Sequence, residues 1–266
     1  MSEHVHVSRN GRILEIVLDK PKANAIDMKV SRALGEAFVN LRDDPDLSVG
    51  IITGAGERIF CAGWDLKAVE SGEMSVDNWW EDDYGPGGFA GLTELWDLNK
   101  PVIAALNGLT LGGGVEIALA CDLIVAAEHV EFALPELPLG IVPDAGAIQR
   151  IPRRIPYNKA MEMLLLGERM GISEAAAYGL VNSVVPADQL MVTARAWADK
   201  LAGVAPLALQ SVKEILRAIE GDTIQSAFQT MRTGDLPTYR RLLKSEDAQE
   251  GVSAFVEKRE ADFKGR

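Results

Sequence analysis

Cysteine and histidine are scarce in this chain of 266 residues, which narrows the chemistry it can perform. The two cysteines, Cys61 and Cys121, have the spacing of neither a disulfide framework nor a zinc site, so we expect a reducing compartment. His4, His6 and His129 lie far from both cysteines in the sequence, and we predict no metal site. The lack of a histidine near Cys61 also disfavours Cys–His and Ser–His–Asp catalysis.

Basic residues are outnumbered by acidic ones, and long apolar runs are absent from the sequence. The chain has 27 Lys and Arg against 39 Asp and Glu, and its net charge of −12 argues against a nucleic-acid partner, because phosphates require basic faces. An anionic cofactor could still bind at a local group of Lys and Arg. No apolar run approaches the roughly 18 residues of a membrane span, and the polar residues 1–11 do not resemble a signal peptide. We therefore expect a cytoplasmic protein with no membrane partner.

Strands and helices alternate through the first two-thirds of the chain, and almost only helices are predicted after that. Alternating residues around Asn10-Gly11 predict a β-hairpin, and Asp27 is predicted to cap the helix that follows it. The apolar face of that helix comprises Val30, Leu34, Ala37, Phe38 and Leu41. Residues 89–98 are also predicted to be helical. The change in composition near residue 204 predicts a mixed α/β core over residues 1–204 and a helical region over residues 205–266.

The stretch that organises the chain covers residues 100–122, KPVIAALNGLTLGGGVEIALACD. It predicts a strand, a glycine loop and a short buried helix that starts near Gly113 and carries Glu116 in its first turn. Glycines let a ligand approach the backbone, and the free amides of a helix start favour negative charge. A developing anion beside an acid suits enolate chemistry. Two alternatives remain: a dinucleotide-binding loop, although Ile117 stands where its third glycine belongs, and a loop that serves only close packing.

A second loop, FCAGWDL at residues 60–66, is rich in small residues. Ala62 and Gly63 would let backbone amides, including that of Trp64, point at a ligand. Together with the Gly113 amide, the Trp64 amide would form an oxyanion hole for a carbonyl that becomes an enolate. A structural turn is the alternative interpretation.

A second candidate acid, Glu136, follows Pro135 in the apolar segment FALPELPLGIVP. An acid in such surroundings is either a surface residue or a functional group with a perturbed pKa. Two glutamates that face each other, Glu116 and Glu136, could hold one water and move a proton between water and substrate.

Aromatic residues are few but concentrated. Trp64, Trp79, Trp80, Tyr84 and Trp96 fall within one segment, and Glu81, Asp82 and Asp83 interrupt them. Residues 70–88 show no clear helical or strand periodicity, and an irregular surface loop of that length is typical of a lid. Aromatic faces beside acids suit a quaternary ammonium group. The alternative is a lid or subunit contact that buries tryptophan for packing.

Seven segments in order resemble the enoyl-CoA hydratase/isomerase (crotonase) superfamily over essentially the whole chain. They are PKANAI, ITGAG, FCAGWDL, KPVIAALNG with GGGVEIALACD, FALPELPLGIVPD, GERMGISEAAAYGLVNSVV and AFVEKREADFKGR. The resemblance implies an α/β fold of the crotonase type, a spiral of repeated ββα units followed by a C-terminal helical trimerisation region. It also implies an acyl-CoA thioester substrate and a homotrimer, often paired into a hexamer.

The resemblance assigns roles residue by residue. The oxyanion-hole amides fall on Trp64 and Gly113, and the two catalytic acids on Glu116 and Glu136. Contacts to coenzyme A are implied for Lys22, Ala23, Ala25, Ala62, Asp65 and Leu66, and for Lys264 reaching from a neighbouring subunit. The acyl pocket is expected to involve Trp79, Trp80, Tyr84, Pro135 and Leu139. Neither a metal nor a redox cofactor is implied, since coenzyme A is part of the substrate.

Both acids are present, which predicts reversible hydration of a short α,β-unsaturated acyl-CoA. The segments AGWDLK, GPGGFAGLTE, LGIVPD and SEDAQEG resemble family members whose substrate carries a trimethylammonium group, which implies crotonobetainyl-CoA. Ala147 departs from a common glycine. The alternatives are a general short-chain enoyl-CoA hydratase, an isomerase that uses only Glu136, and an acyl-CoA-binding protein without activity.

Overall fold

The computed structural model describes residues 3–266 as two β-sheets packed among helices. The strands are β1 (Val5–Asn10), β2 (Ile13–Leu18), β3 (Val49–Gly54), β4 (Ile59–Cys61), β5 (Val102–Leu106), β6 (Leu109–Leu111), β7 (Leu123–Ala127), β8 (Glu131–Ala133), β9 (Met170–Gly171) and β10 (Ser183–Val185). The helices are α1 (Met28–Asp43), α2 (Leu66–Glu70), α3 (Gly113–Ala120), α4 (Ala147–Arg150), α5 (Tyr157–Leu166), α6 (Ile172–Ala177), α7 (Leu190–Ala202), α8 (Pro206–Ala218), α9 (Ile224–Thr233), α10 (Pro237–Leu242) and α11 (Glu246–Glu257).

From β3 to β8, successive strands alternate between the two sheets. One sheet has the order β1-β2-β3-β5-β7-β10 and the other the order β4-β6-β8-β9. The pairs β3/β4, β5/β6 and β7/β8 therefore each contribute one strand to each sheet, and α2, α3 and α4 follow them in turn. This repetition of ββα units confirms the predicted spiral. Apart from the β1–β2 hairpin and the β8–β9 pair, the strand pairs are parallel, so the carboxyl ends of neighbouring strands meet at the same edge.

The first helix forms as its sequence predicts. The Asp27 side chain accepts a hydrogen bond from the Val30 amide and caps α1. All five residues of the predicted apolar face are buried, and they pack into the main hydrophobic core together with β2 and β3. The hairpin around Asn10-Gly11 is confirmed as well.

The helix predicted over residues 89–98 is wrong. Only one 3-10 turn forms there, Phe89–Gly91, and Ala90 and Gly91 both have positive φ angles, of 54° and 69°. A Cβ on Gly91 would collide with the backbone of Gly35 in α1. The segment therefore lies flat against α1, and this tertiary contact overrides its helical propensity.

Strand β6 is a structural element that its local sequence does not indicate. It has only three residues and follows directly after Asn107-Gly108. It forms because it pairs with β4 and β8, and no feature within three residues indicates such partners.

Only helices follow β10, as predicted. Helix α7 packs Leu190, Ala194 and Ala198 against the larger sheet, and a short break at residues 203–205 separates it from α8. The boundary near residue 204 stays a prediction. Within residues 3–266, none of the helices combines the length and apolarity needed to cross a membrane.

Candidate active site

The predicted site segments meet at one edge of the smaller sheet. Strands β4, β6 and β8 are parallel neighbours. Their carboxyl ends lead directly into Ala62 and Gly112 and, after Leu134, into Pro135. These segments border a cavity of about 490 Å³, a volume typical of ligand sites. The topology thus brings together three loops that lie far apart in the sequence.

The start of α3 lies against the loop after β4. Gly112 precedes α3 with φ 50° and ψ −120°, a conformation that favours glycine. Gly63 has φ 84°, and a Cβ on it would come within 2.6 Å of the Gly113 amide nitrogen. Trp64 and Gly113 both line the cavity, and among the described residues neither amide has a hydrogen-bond acceptor. Two unpaired amides on neighbouring loops can bind a developing negative charge.

The loop around Trp64 is tied to the segment before α1. The Ala62 amide donates to the Ala23 carbonyl at 3.0 Å, and the Ile26 amide donates to the Gly63 carbonyl at 2.8 Å. Lys20 adds a side-chain link, because its Nζ lies 2.5 Å from Asp27 Oδ2 and 2.7 Å from Asp65 Oδ2. No local pattern in the sequence indicates this role for Lys20, because only the fold brings its two partners together.

The two predicted acids lie in the cavity wall. Glu116 is 4% exposed and Glu136 is 9% exposed. The Ala147 amide donates to Glu116 Oε1 at 3.1 Å, so the departure from glycine at this position leaves the backbone donor in place. Within residues 3–266, Glu136 Oε2 is buried without a hydrogen-bond partner. A buried carboxyl oxygen without a partner lowers the stability of the fold unless a ligand or a water molecule forms a hydrogen bond with it.

Both carboxyl groups hold their protons more tightly than a glutamate in water. Burial, with a contribution from nearby negative charge, raises the pKa of Glu116 to about 8. Burial also raises the pKa of Glu136 to about 7, and the charge of Asp144 adds to this shift. Groups with pKa values near neutrality can both give and take a proton under physiological conditions.

Comparison with known proteins identifies the fold and the family. Residues 8–266 match the sequence model of the family described as enoyl-CoA hydratase/isomerase. The chain belongs to this family. It is 54% identical, over 266 residues and the full length of both chains, to the carnitinyl-CoA dehydratases of Proteus mirabilis (strain HI4320) and Salmonella heidelberg (strain SL476).

Solved structures agree with this assignment. The enoyl-CoA hydratase from Mycobacterium tuberculosis H37Rv matches with a TM-score of 0.88 at 38% identity, and the enoyl-CoA hydratase from Mycobacterium marinum with 0.88 at 40%. Both alignments cover 100% of each chain. The chain is therefore an enzyme of the enoyl-CoA hydratase/isomerase family with the crotonase fold, as the resemblance predicted.

The structure gathers half of the other predicted site residues in the cavity. Ala62, Leu66, Trp79, Trp80, Pro135 and Leu139 line it. Tyr84 does not, because it is buried beneath the cavity wall, where its hydroxyl accepts a hydrogen bond from Trp64 Nε1 at 3.0 Å. In this position it supports the wall through Trp64, and its assignment to the acyl pocket stays a prediction.

The residues assigned to coenzyme A lie in different places. Lys22, Ala23 and Ala25 belong to the segment paired with the Trp64 loop, outside the cavity lining. Asp65 uses its carboxylate to cap α2 and to bind Lys20. Lys264 lies in the C-terminal tail, where its amide donates to Asp247 and its Nζ pairs with Asp262 at 2.5 Å.

The three acids that the sequence places among the aromatic residues do not line the cavity. Asp82 accepts a hydrogen bond from the Ser75 amide, Asp83 pairs with Arg32, and neither these nor Glu81 lines the cavity. Asp144 does line it, and its Oδ2 accepts a hydrogen bond from Trp79 Nε1 at 3.0 Å. The sequence pattern does not indicate Asp144 as a partner of the aromatic residues, because it lies 65 positions from Trp79 along the chain.

The raised pKa of Glu116 predicts that this residue destabilises the folded protein at alkaline pH. Between the unfolded pKa of about 4.3 and the folded value, the native state binds more protons, so stability falls as pH rises. Glu116→Gln keeps an acceptor for the Ala147 amide but does not titrate. We expect the variant to be more stable than wild type by about 2 kcal/mol or more at pH 8.5 and to lose this advantage at pH 5. Urea denaturation at the two pH values measures this difference, and a pH-independent difference would contradict it.

Proposed function

We propose that this enzyme catalyses the reversible hydration of an α,β-unsaturated acyl-CoA, converting crotonobetainyl-CoA to carnitinyl-CoA and back. The proposed reaction type rests on the pair of buried carboxyl groups, Glu116 and Glu136, which lie in the same cavity as the Trp64 and Gly113 amides. The substrate is supported by the full-length similarity to proteins named carnitinyl-CoA dehydratase.

In the proposed mechanism, the thioester oxygen accepts hydrogen bonds from the amides of Trp64 and Gly113. The enolate that forms on addition of water to Cβ is stabilised by these donors, each worth about 2.7–4 kcal/mol in comparable sites, and by the positive end of α3. Polarisation of the thioester makes Cβ electrophilic, so the same two amides serve both directions of the reaction.

The two acids share the proton transfers. One water molecule bridges Glu116 and Glu136, and Glu116 as carboxylate takes a proton while the hydroxyl bonds to Cβ. Glu136 as acid gives its proton to Cα, which collapses the enolate. One turnover thus leaves Glu116 protonated and Glu136 ionised, and a proton must pass between them or through solvent before the next. The pair titrates as a coupled unit, so its macroscopic pKa values belong to both residues. Because the two values of about 8 and about 7 lie close together, the state with Glu116 ionised and Glu136 protonated is accessible although Glu116 has the higher pKa.

Several expectations from the sequence complete the proposal. The reaction as written needs no metal and no redox cofactor, and coenzyme A enters and leaves as part of the substrate. We propose a cytoplasmic homotrimer or hexamer in which Lys264 reaches a phosphate bound to a neighbouring subunit. Apolar side chains on the C-terminal helices, such as Phe255 at 85% exposure and Ile224 at 81%, support burial in an assembly.

The function is tested by offering the purified enzyme crotonobetainyl-CoA and crotonyl-CoA. We expect kcat/KM to be at least about 10-fold higher for crotonobetainyl-CoA, since the uncharged crotonyl group lacks the ammonium that the acidic cavity attracts. A clear preference for crotonyl-CoA would identify a general short-chain hydratase. Tight binding of acyl-CoA without any turnover would identify a binding protein.

A further inference from the structure

Every ionisable side chain that lines the cavity is an acid. Four carboxyl groups border it, Asp77, Glu116, Glu136 and Asp144, and within residues 3–266 the lining contains no Lys, Arg or His. Coenzyme A carries negative phosphates, so these acids do not serve that half of the substrate. A lining of one charge sign raises the local concentration of ligands of the opposite sign. The cavity is therefore suited to a cation at the acyl end.

Asp144 is the acid best placed to meet that cation. Glu116 and Glu136 are needed for proton transfer, and Asp77 is exposed at the rim. Asp144 is half-buried in the lining that it shares with both glutamates, and it lies three positions before Ala147, whose amide donates to Glu116 Oε1 at 3.1 Å, so it lies close to the reacting centre. In carnitinyl-CoA the ammonium nitrogen is separated from Cβ by a single methylene group. A subsite for it must adjoin the glutamate pair, as Asp144 does.

Aromatic rings complete the surroundings of Asp144. The hydrogen bond from Trp79 Nε1 fixes the indole beside the carboxylate. Trp79 stands edge-on to Trp80, with ring centroids 6.2 Å apart, and edge-on to Tyr84 at 5.6 Å. Aromatic faces attract quaternary ammonium groups, which have no N–H donors and need no hydrogen-bond acceptors. The remaining wall near Asp144 is apolar and can contact methyl groups: Leu139, Ile141, Val142 and Pro143.

Arg150 is a basic residue near this subsite. It lies on α4 and borders a neighbouring cavity whose lining also includes Asp144, and its charge opposes the rise in the pKa of Glu116. Its guanidinium donates to the Thr93 carbonyl at 2.5 Å and lies over the Trp96 ring, 5.8 Å from the centroid. Because Arg150 is held by these partners and does not line the substrate cavity, the ionisable groups that the cavity presents to the acyl chain are acids.

We propose that Asp144, Trp79 and Trp80 form a binding subsite for the quaternary ammonium group of the acyl chain. This inference rests on the proposed function and names the residues that select its substrate. Asp144 supplies the charge, Trp79 is positioned by it, and Trp80 closes the mouth of the subsite.

The experiment compares two substrates of the same shape. In 5,5-dimethylhex-2-enoyl-CoA a quaternary carbon replaces the ammonium nitrogen of crotonobetainyl-CoA, so the two differ in charge alone. Asp144→Asn keeps an oxygen that can accept from Trp79 Nε1 and removes the charge. We expect this variant to lower the ratio of kcat/KM, charged over neutral substrate, by about 10-fold or more. Asp83→Asn removes a lid carboxylate outside the cavity and should leave the ratio unchanged.

A second variant tests the aromatic part separately. Trp80 is 61% exposed, so its replacement leaves the core intact. Trp80→Leu should lower the same ratio by about 3-fold or more, and Trp80→Phe should restore part of it, because phenylalanine keeps an aromatic face.

The outcomes separate this inference from the proposed function. An unchanged ratio in Asp144→Asn, with wild type still preferring the charged substrate, would overturn the subsite and leave the function standing. If wild-type enzyme turned over neither substrate, the proposed function itself would fail. An equal loss for both substrates in Asp144→Asn would show that Asp144 only supports the glutamate pair, which also contradicts the subsite.

Discussion

Glu116→Gln is expected to lower the rate of hydration by about 10²- to 10⁴-fold, the contribution typical of a general acid or base. Glutamine has nearly the same shape and can still accept the hydrogen bond from Ala147, so the loop before α4 should keep its place. It cannot take a proton from water. The loss should therefore appear in kcat, whereas KM for the acyl-CoA should change little.

Glu136→Gln should cause a loss of similar size, because addition of water also needs a proton at Cα. The matched control is Glu214→Gln, which alters another buried glutamate, 6% exposed, whose carboxylate binds the amides of Thr238 and Tyr239 in the C-terminal region. Hydration by this control should stay within about 3-fold of wild type below its melting temperature. If the Glu116→Gln variant still isomerised the double bond of an enoyl-CoA but no longer added water, the enzyme would instead be an isomerase that uses Glu136 alone. Full hydration activity in Glu116→Gln would remove this residue from the mechanism.

The parts of the site that the sequence predicts are those that local rules determine. A glycine run before an apolar helix predicts the free amides of α3, because a helix start leaves its first amides unpaired whatever surrounds it. Asp27 predicts the start of α1 for the same reason. Glu136 is conspicuous because an acid in an apolar segment needs an explanation. These features depend on a few neighbouring residues, so they can be recognised before the fold is known.

The parts that could not be predicted depend on residues distant in sequence. Asp144 meets Trp79 only because the lid folds over the loop before α4, and Lys20 meets Asp65 only because two segments pair across the site. The segment 89–98 has helical composition, yet contact with Gly35 holds it in another conformation. In each case the deciding contact spans tens of residues, and periodicity carries no information about it.

Gly63→Ala is expected to lower kcat by about 10²- to 10³-fold, the loss that follows removal of one oxyanion donor. Gly63 lies between the two amides of the proposed oxyanion hole. Its added methyl group would sit 2.6 Å from the Gly113 nitrogen and 3.0 Å from the Leu111 carbonyl oxygen, and both neighbours are backbone atoms that cannot rotate away. The loop must move, and a displacement of about 1 Å is enough to misalign a donor.

The matched control for this variant is Gly179→Ala. Gly179 has a φ of 75°, close to the 84° of Gly63, and no atom lies within 4 Å of the position its Cβ would take. Both variants force alanine into a left-handed conformation, at a cost of about 1–2 kcal/mol, so both should lose at least this much stability in thermal unfolding, and Gly63→Ala should lose more because of its steric clash. Only Gly63→Ala also pushes the Trp64 loop away from α3. Hydration should therefore collapse in that variant and persist in the control. Equal activities in the two would mean that the spacing between the Trp64 and Gly113 amides does not matter, and the oxyanion hole would have to be sought elsewhere in the cavity.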